Sequence, residues 1–585
     1  MIIQVIGENN DYKRLFVRTI SARLIMPYVD INQLYRYLAI EYILYGIKSD
    51  IALDIQCEGN VVINGHVYNE SLFHPMPIID DALIKSHSLT LKAKVAAYLM
   101  QYLKKYDLII DQGCEPSVDI KDQSLKILIT DTPKKHFKFP FKTSEEDDIS
   151  FSDNVYDLVI NSTATSICSA SESTLYQYFT KLSTYVADNH IKICSVRSYN
   201  NTLMCDLALP QHYWCYFNTL PWLSFTYNIE VKTLPNEVAL IPFVALLAPI
   251  VWSTGLTLEL DMLDSTFYES LTKIKDLFSL YFRVSLNGTI KPQKLYYHNN
   301  LNDNHMIYYS GGVDATMTLL DLKDGIKDIL IMKGFDRPLE EMVNNQSKLY
   351  FHRIIPIKDK MLIFVESPNI HNINYTRLNT DFGVFESDMN YWCCYCVGLY
   401  TFANAVVPAY LRNNYNIVLS SSYKDEETVI YGASKIIIEH IQTSFCRMLS
   451  YGDNYSRMDK LKRIIKYGEA HSKVVLRVCK KGGIPNNCCQ CEKCARTILG
   501  LYVLGETPAN WGFNISEEEF FKWLRTYIYT FTFSCVDDWI EIIEYIRNSN
   551  AFSENQNLGW ILTLDIENIK ANNLLLRDKN KKLNW

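Results

Sequence analysis

Apolar positions fall into two regimes along the chain. In the first, Ile2 to Ile6 reads as a strand, and the run Asn60 to Tyr68 sets Asn64-Gly65 between two apolar segments, which predicts a two-residue hairpin turn. Tyr156 to Asn161 and Ile191 to Ser195 read as strands flanking an amphipathic helix around Leu175 to Val186. From about residue 305 the pattern changes, because short apolar strands alternate with helical stretches: Met306 to Tyr309, Ile329 to Met332, Met361 to Val365 and Ile417 to Leu419. That alternation predicts an α/β fold with a parallel sheet wrapped by helices. A helical tail follows, in which Ser516 and Glu519 form a capping box ahead of Phe520 to Tyr529, with a second helix over Asp537 to Arg547. The expected organisation is an α+β domain over 1–130, a second α/β segment over 131–235, a connecting helical segment over 236–300, the parallel-sheet domain over 301–505 and the helical tail over 506–585.

The longest apolar run, Val238 to Trp252, is interrupted by Pro242 and Pro249 and is shorter than the roughly 20 residues of a membrane helix, so it is expected to be a buried core segment. No partnership with a membrane is expected. Length changes the picture next: 585 residues exclude a single-motif protein, and 40 Tyr with 26 Phe can bury large cores. With 58 Lys and Arg against 65 Asp and Glu, the formal charge of −7 supplies no global positive field for constitutive nucleic-acid binding. Pro133 to Lys142 alternates basic and aromatic residues, but Glu145 to Asp148 follows at once, so an edge strand and a solvated loop are expected there. Sixteen cysteines are too sparse for a secreted disulfide scaffold and cluster instead, and no basic-then-apolar leader is visible, which predicts a cytoplasmic protein with a metal site.

The first motif with chemistry is Tyr309-Ser310-Gly311-Gly312-Val313-Asp314-Ala315-Thr316, between a strand and the helical stretch Thr316 to Leu322. Glycines let backbone amides turn inward, Ser310 adds a hydroxyl donor and the following helix points its N-terminus at the same spot, so a phosphate chain would fit. The plain alternative is a tight strand-to-helix turn capped by Asp314. The second motif is Cys479-x8-Cys488-x2-Cys491-x2-Cys494, which offers four thiolates to one tetrahedral ion, with Cys489 out of register. Zinc in a closed structural site is the expectation; an iron-sulfur cluster and a reactive disulfide are the alternatives. A swap of Cys489 for Cys488 stays open. Cys393, Cys394 and Cys396 lie in the apolar helical segment Tyr391 to Leu411 and read as core residues.

Ser310-Gly311-Gly312-Val313-Asp314 resembles the SGGxDS signature of the PP-loop ATP pyrophosphatases, a HUP-type fold in which that loop binds the phosphates of ATP. The resemblance implies that Tyr309 to Thr316 bind ATP with magnesium, that Ser310 and Asp314 serve catalysis, and that Lys333 and Gly334, ahead of Phe335-Asp336, supply adenine-facing backbone. Ala315 stands where the family has a second hydroxyl, and Thr316 is one position on. Both motifs together, over roughly 301–505, resemble the 7-cyano-7-deazaguanine synthase family, which activates a deazaguanine carboxylate with ATP for attack by ammonia. Gly432-Ala433-Ser434, Tyr451 to Lys460 and Leu476 to Cys479 look like its longer, divergent relatives, some of which belong to bacterial antiviral defence operons. In that setting the small deazaguanine-type acid would be joined to a partner-protein amine recognised through residues 1–235. Arg457 and Lys460 are candidates to neutralise phosphate charge, or else a solvated helix face. An RNA-modifying thiolase-like enzyme and a catalytically silent nucleotide-binding subunit are the alternatives.

Overall fold

The computed structural model describes residues 2–7, 11–45, 52–55, 60–68, 108–111, 124–130, 149–150, 158–161, 166–231, 233–299, 302–333, 351–352, 354–384, 390–422, 430–471, 474–479, 487–527, 536–548, 559–563, 565 and 568. They divide into two compact units, Met1–Trp222 and Leu223–Trp585. The stretch Pro133 to Asp148 and residues 334–350 lie outside the described residues.

In the first unit the opening apolar run is β1 (Ile2–Gly7), followed by α1 (Asp11–Leu24), β2 (Tyr28–Asp30) and α2 (Ile31–Tyr45). Three short strands, β3 (Leu53–Ile55), β4 (Val61–Ile63) and β5 (His66–Tyr68), form a separate antiparallel sheet. Asn64 and Gly65 both have positive φ, 52° and 90°, as a two-residue hairpin turn requires. β6 (Leu108–Asp111), β7 (Ser124–Thr130), β8 (Ile149–Ser150) and β9 (Leu158–Asn161) complete a sheet in the order β2-β6-β1-β7-β9-β8, parallel except at β8. Its inner strands are apolar on both faces because each face is covered: Ile3, Val5, Ile109 and Ile127 meet Phe16 and Ile20, while Ile2 and Ile110 meet Leu34 and Leu38. α3 (Ile167–Ser183) starts earlier than the amphipathic pattern suggested, because Ser166 caps it by accepting the Ser169 amide at 3.2 Å. The strand expected over Ile191 to Ser195 runs on as β10 (His190–Tyr199), held by antiparallel pairing with β11 (Thr202–Ala208). Fully buried Asp206 locks that hairpin to α3, accepting from Tyr178 at 2.7 Å and pairing with Arg197 at 2.5 Å.

The second unit begins with β12 (Trp222–Tyr227) and α4 (Asn236–Thr254). α4 continues through Pro242 and Pro249, which the sequence suggested as interruptions, and Val238 to Trp252 are all buried. Helices 236–254 and 392–412 are long and apolar enough to cross a membrane, yet 83% of each apolar window is buried inside the protein. The region 236–300, expected to be helical, also holds two strands: β13 (Thr257–Asp264), α5 (Ser265–Phe282) and β14 (Thr289–Tyr296) follow α4, and β13 pairs in parallel with β14. Leu258, Leu260 and Leu263 are buried on β13, a short alternating signal overshadowed by the stronger helical patterns on either side.

The motifs lie on a run of adjacent strands in a mixed sheet, in the order β12-β17-β16-β15-β18-β19, with β15 (His305–Tyr308), β16 (Ile326–Lys333), β17 (Met361–Glu366), β18 (Asn416–Ser420) and β19 (Arg447–Tyr451). These five strands are parallel, and β12 joins β17 antiparallel. The longer helices are α6 (Val313–Asp321), α7 (Tyr375–Phe382), α8 (Val397–Arg412), α9 (Arg457–Ala470), α10 (Glu492–Val503), α11 (Glu517–Tyr527) and α12 (Val536–Asn548). A π-helical turn, Trp392–Cys396, leads into α8 and buries Cys394 and Cys396 as core residues. The Ser516–Glu519 capping box is formed at the start of α11. The last four helices enclose one apolar cluster in which Leu461, Ile498, Phe520 and Trp539 are buried together.

Candidate functional site

Strand order fixes where a ligand can approach. From central β15 the chain builds outward through β16 and β17 on one side, then returns to lay β18 and β19 on the other. The C-terminal end of β15 is therefore the point where strand order reverses, and open α/β sheets hold ligands in the crevice found there. The loop Tyr309 to Gly312 leaves β15 at that point.

Gly311 adopts φ +82°, which disfavours any side chain. A Cβ on it would lie 3.1 Å from Arg477 Cβ and 3.2 Å from Ile354 Cδ1, so the loop is packed against the chain behind it. Arg477 also donates its backbone N–H to the Gly311 carbonyl at 2.7 Å. Gly312 stands at the N-cap of α6 with no side-chain cap, and a Cβ there would meet only Ser310 Oγ at 3.4 Å. Ser310 is exposed and accepts from the Gly312 amide at 3.4 Å. An exposed hydroxyl beside an uncapped helix start is an arrangement that accepts an anion.

The remaining candidates take different places. Tyr309, Val313 and Ala315 are buried, and Thr316 is wholly buried with its hydroxyl making no hydrogen bond among the described residues. Its oxygen is thus enclosed in the core instead of lining the loop. Lys333 ends β16 opposite Glu366, and Gly334 is outside the described residues.

Asp314, in the first turn of α6, does not cap that helix. Lys460 Nζ lies 3.0 Å from its Oδ1 and Arg457 Nη1 3.6 Å from its Oδ2. Burial opposes ionisation of Asp314, but Lys460 and Arg457, with Arg496 behind them, outweigh it and hold the carboxyl below its ordinary range. Both cations are buried, so the reading of this pair as a solvated helix face is overturned: α9, capped by reciprocal hydrogen bonds between Ser456 and Asp459, turns them toward the acids of α6 and α12. Lys460 also donates to the Ser421 carbonyl at 2.7 Å, and Arg457 to Thr497 at 2.9 Å. Asp538 on α12 joins Arg496 and lies 3.9 Å from Arg457; Glu541 accepts the Met458 amide at 3.2 Å. Burial, ahead of the opposing effect of the two arginines, raises the Asp538 carboxyl.

The four cysteines converge. Sulfurs of Cys479, Cys488, Cys491 and Cys494 all lie within 4.8 Å of one another, with Cys479 and Cys491 at 3.9 Å and Cys488 and Cys494 at 4.0 Å. A tetrahedral zinc with sulfurs at about 2.3 Å sets them roughly 3.8 Å apart, so the quartet can hold one metal ion such as zinc. An iron-sulfur cubane, which gives each thiolate its own iron, spreads its ligands more widely. Cys489 has φ +58° and its sulfur turns to the Asn487 carbonyl at 3.6 Å, leaving Cys488 in the quartet. A hydrogen bond from Cys494 leads the effects that pull the Cys491 thiol down to about 5, while burial pushes Cys488 up to about 12.

Sequence reasoning missed three contributors. Asn487 lies in the spacer between Cys479 and Cys488, where spacing says nothing of its role, whereas its side chain makes four hydrogen bonds to backbone. Asp538 and Glu541 sit in the helical tail, and an ordinary amphipathic helix carries no local sign of what its acids meet. Compared with known proteins, the chain matches no protein-family model, and no curated protein matches its sequence.

Proposed function

We propose that this chain is an ATP-dependent, adenylate-forming carbon-nitrogen ligase of the PP-loop type. The observation that carries the reading is the Ser310-Gly311-Gly312 loop at the reversal of strand order, with Asp314 behind it bound to buried Lys460 and Arg457. Counted from β15, the five parallel strands run third-second-first-fourth-fifth, the first five places of the doubly wound nucleotide-binding order.

ATP with magnesium would supply the activated phosphate, and cleavage between its α and β phosphates leaves an adenylated carboxylate for an amine to attack. The chain's own contribution is placement and charge. Amides at the start of α6 and the Ser310 hydroxyl would bind phosphate oxygens, and Asp314, ionised and 24% exposed, is the carboxylate on hand for magnesium. Lys460 and Arg457 lower the cost of gathering negative charge there. From the resemblance, the acid is of the 7-deazaguanine type and the amine is ammonia or a partner-protein amine recognised through residues 1–235, in the cytoplasm and in antiviral defence.

A second reading, a nucleotide-binding subunit without turnover, is favoured by one observation: Ala315 has no hydroxyl and Thr316 is wholly buried. Mass spectrometry of reactions containing ATP, 7-carboxy-7-deazaguanine and either ammonia or candidate partner proteins separates the two. AMP and pyrophosphate together with a mass shift support the ligase; ATP bound but unchanged supports the silent subunit. Release of ADP would reject the PP-loop mechanism.

A further inference from the structure

Asn487 stands next to one metal-ligating cysteine and reaches another by hydrogen bond. Its Oδ1 accepts the amides of Val478 at 3.0 Å and Cys479 at 3.2 Å. Its Nδ2 donates to the carbonyls of Leu476 and Gly512, both at 2.9 Å. Two lone pairs and two N–H groups are all that a side-chain amide offers, so every position is used. The segment it grips, 474–479, is the one that bonds the glycine loop: Arg477 N–H meets the Gly311 carbonyl at 2.7 Å, and its Cβ fills the space a side chain on Gly311 would need. One end of this short segment thus carries a metal-binding sulfur and its middle carries the loop.

We propose that Asn487 is a positioning residue that makes the metal centre and the glycine loop one mechanical unit, so that closure of the four thiolates on an ion fixes the backbone at Gly311 and Gly312. Two independent contacts carry the coupling. Asn487 fastens the stretch beside Cys488 to the stretch ending at Cys479, and Arg477 passes that constraint to Gly311. A segment held by its ligand cysteine alone could pivot about Cys479; the amide clip at 476, 478 and 479 removes that freedom. Gly311 has little room beside it, since even a single added carbon would lie 3.1 Å from Arg477 Cβ and 3.2 Å from Ile354 Cδ1.

The test is hydrogen exchange by mass spectrometry on the full chain, stripped with a chelator and then reloaded with zinc ion alone. The amide of Thr316, bonded to the Gly312 carbonyl at 2.9 Å, reports the loop, and β17 reports the fold at large. Zinc is expected to slow exchange in the peptide covering 309–317 by about tenfold, the effect of one net hydrogen bond, with β17 unchanged. In Asn487→Asp and in the smaller, uncharged Asn487→Ser, zinc should still bind while the loop no longer responds to it. If zinc protects 487–494 in the wild-type chain but leaves 309–317 untouched, the coupling is overturned, whatever the variants do. Variants that bind zinc and keep the loop response remove Asn487 from the role. No nucleotide enters the readout, so this inference stands or falls apart from the ligase reading.

Discussion

Lys460 sets its ammonium 3.0 Å from the carboxylate of Asp314, across 146 residues of sequence, with the lysine side chain only 1% exposed. Removing one partner of such a pair leaves a charge without its counter-ion. Asp314→Ala is expected to cost about 2–3 kcal/mol, below the usual range for a fully buried pair because Asp314 is partly exposed and Lys460 keeps the Ser421 carbonyl. Lys460→Met should cost a similar amount. The double variant should lose clearly less than the sum, a shortfall that urea unfolding of the four proteins will read. Additive losses would mean that the pair is not coupled.

The same cluster predicts a divided response to pH. Asp314 has its carboxyl lowered from an ordinary 3.8, so its contribution is present above that value and is lost as pH falls through its folded pKa. Asp538 is raised, so its contribution is fully present below 3.8 and is lost as pH rises through its folded pKa. In stability measured from pH 3 upward, Asp314→Asn should flatten the profile at the acid end, and Asp538→Asn should flatten it above about pH 4. Identical profiles for the two variants would contradict this assignment.

Two adjacent glycines separate folding from binding. Gly311→Ala places a side chain in the left-handed region and against Arg477 and Ile354, and should destabilise the unit by about 1–2 kcal/mol. Gly312→Ala meets only Ser310 Oγ at 3.4 Å, so the melting temperature should hold. Its methyl group enters the space assigned to phosphate, and ATP affinity should fall at least tenfold, about 1.4 kcal/mol, by calorimetry. Unchanged affinity would place the nucleotide elsewhere.

The metal centre predicts about one zinc per chain by elemental analysis. Cys488→Ser should lose the ion and Cys489→Ser should keep it, since only Cys488 faces the other three sulfurs. Loading should weaken as pH falls, because protons compete with the metal for the thiolates. Retention of zinc by Cys488→Ser would move the ligand to Cys489.

What could be read from sequence followed the range of the forces involved. The hairpin at Asn64-Gly65 and the cap at Ser516 are set by neighbours within a few residues, and both are formed. The positions of β15 to β18 were visible because parallel strands buried on both faces are short unbroken apolar runs. β13 was not, since the helices around it dominate the pattern. The convergence of the four cysteines follows from ligand spacing, but the choice between Cys488 and Cys489 depends on a backbone turn at φ +58° that spacing does not encode. The inward turn of Arg457 and Lys460 depends on acids from α6 and α12, and no local pattern reports what lies across a fold.

α12 has a consequence for how the unit is made on the ribosome. Arg457 and Arg496 share Asp538, and the Met458 amide in the first turn of α9 is taken by Glu541, yet both acids are synthesised after every other member of the cluster. The strands and the glycine loop emerge first, at about 5–20 residues per second, while the faces of the two guanidinium groups that Asp538 will take are still turned to water. Docking of α12 exchanges that water for carboxylate, so the nascent chain passes through a state in which the sheet can form but the layer beneath the loop remains hydrated. A ribosome stalled before residue 536 would hold the chain there, open to a protease that the finished protein resists.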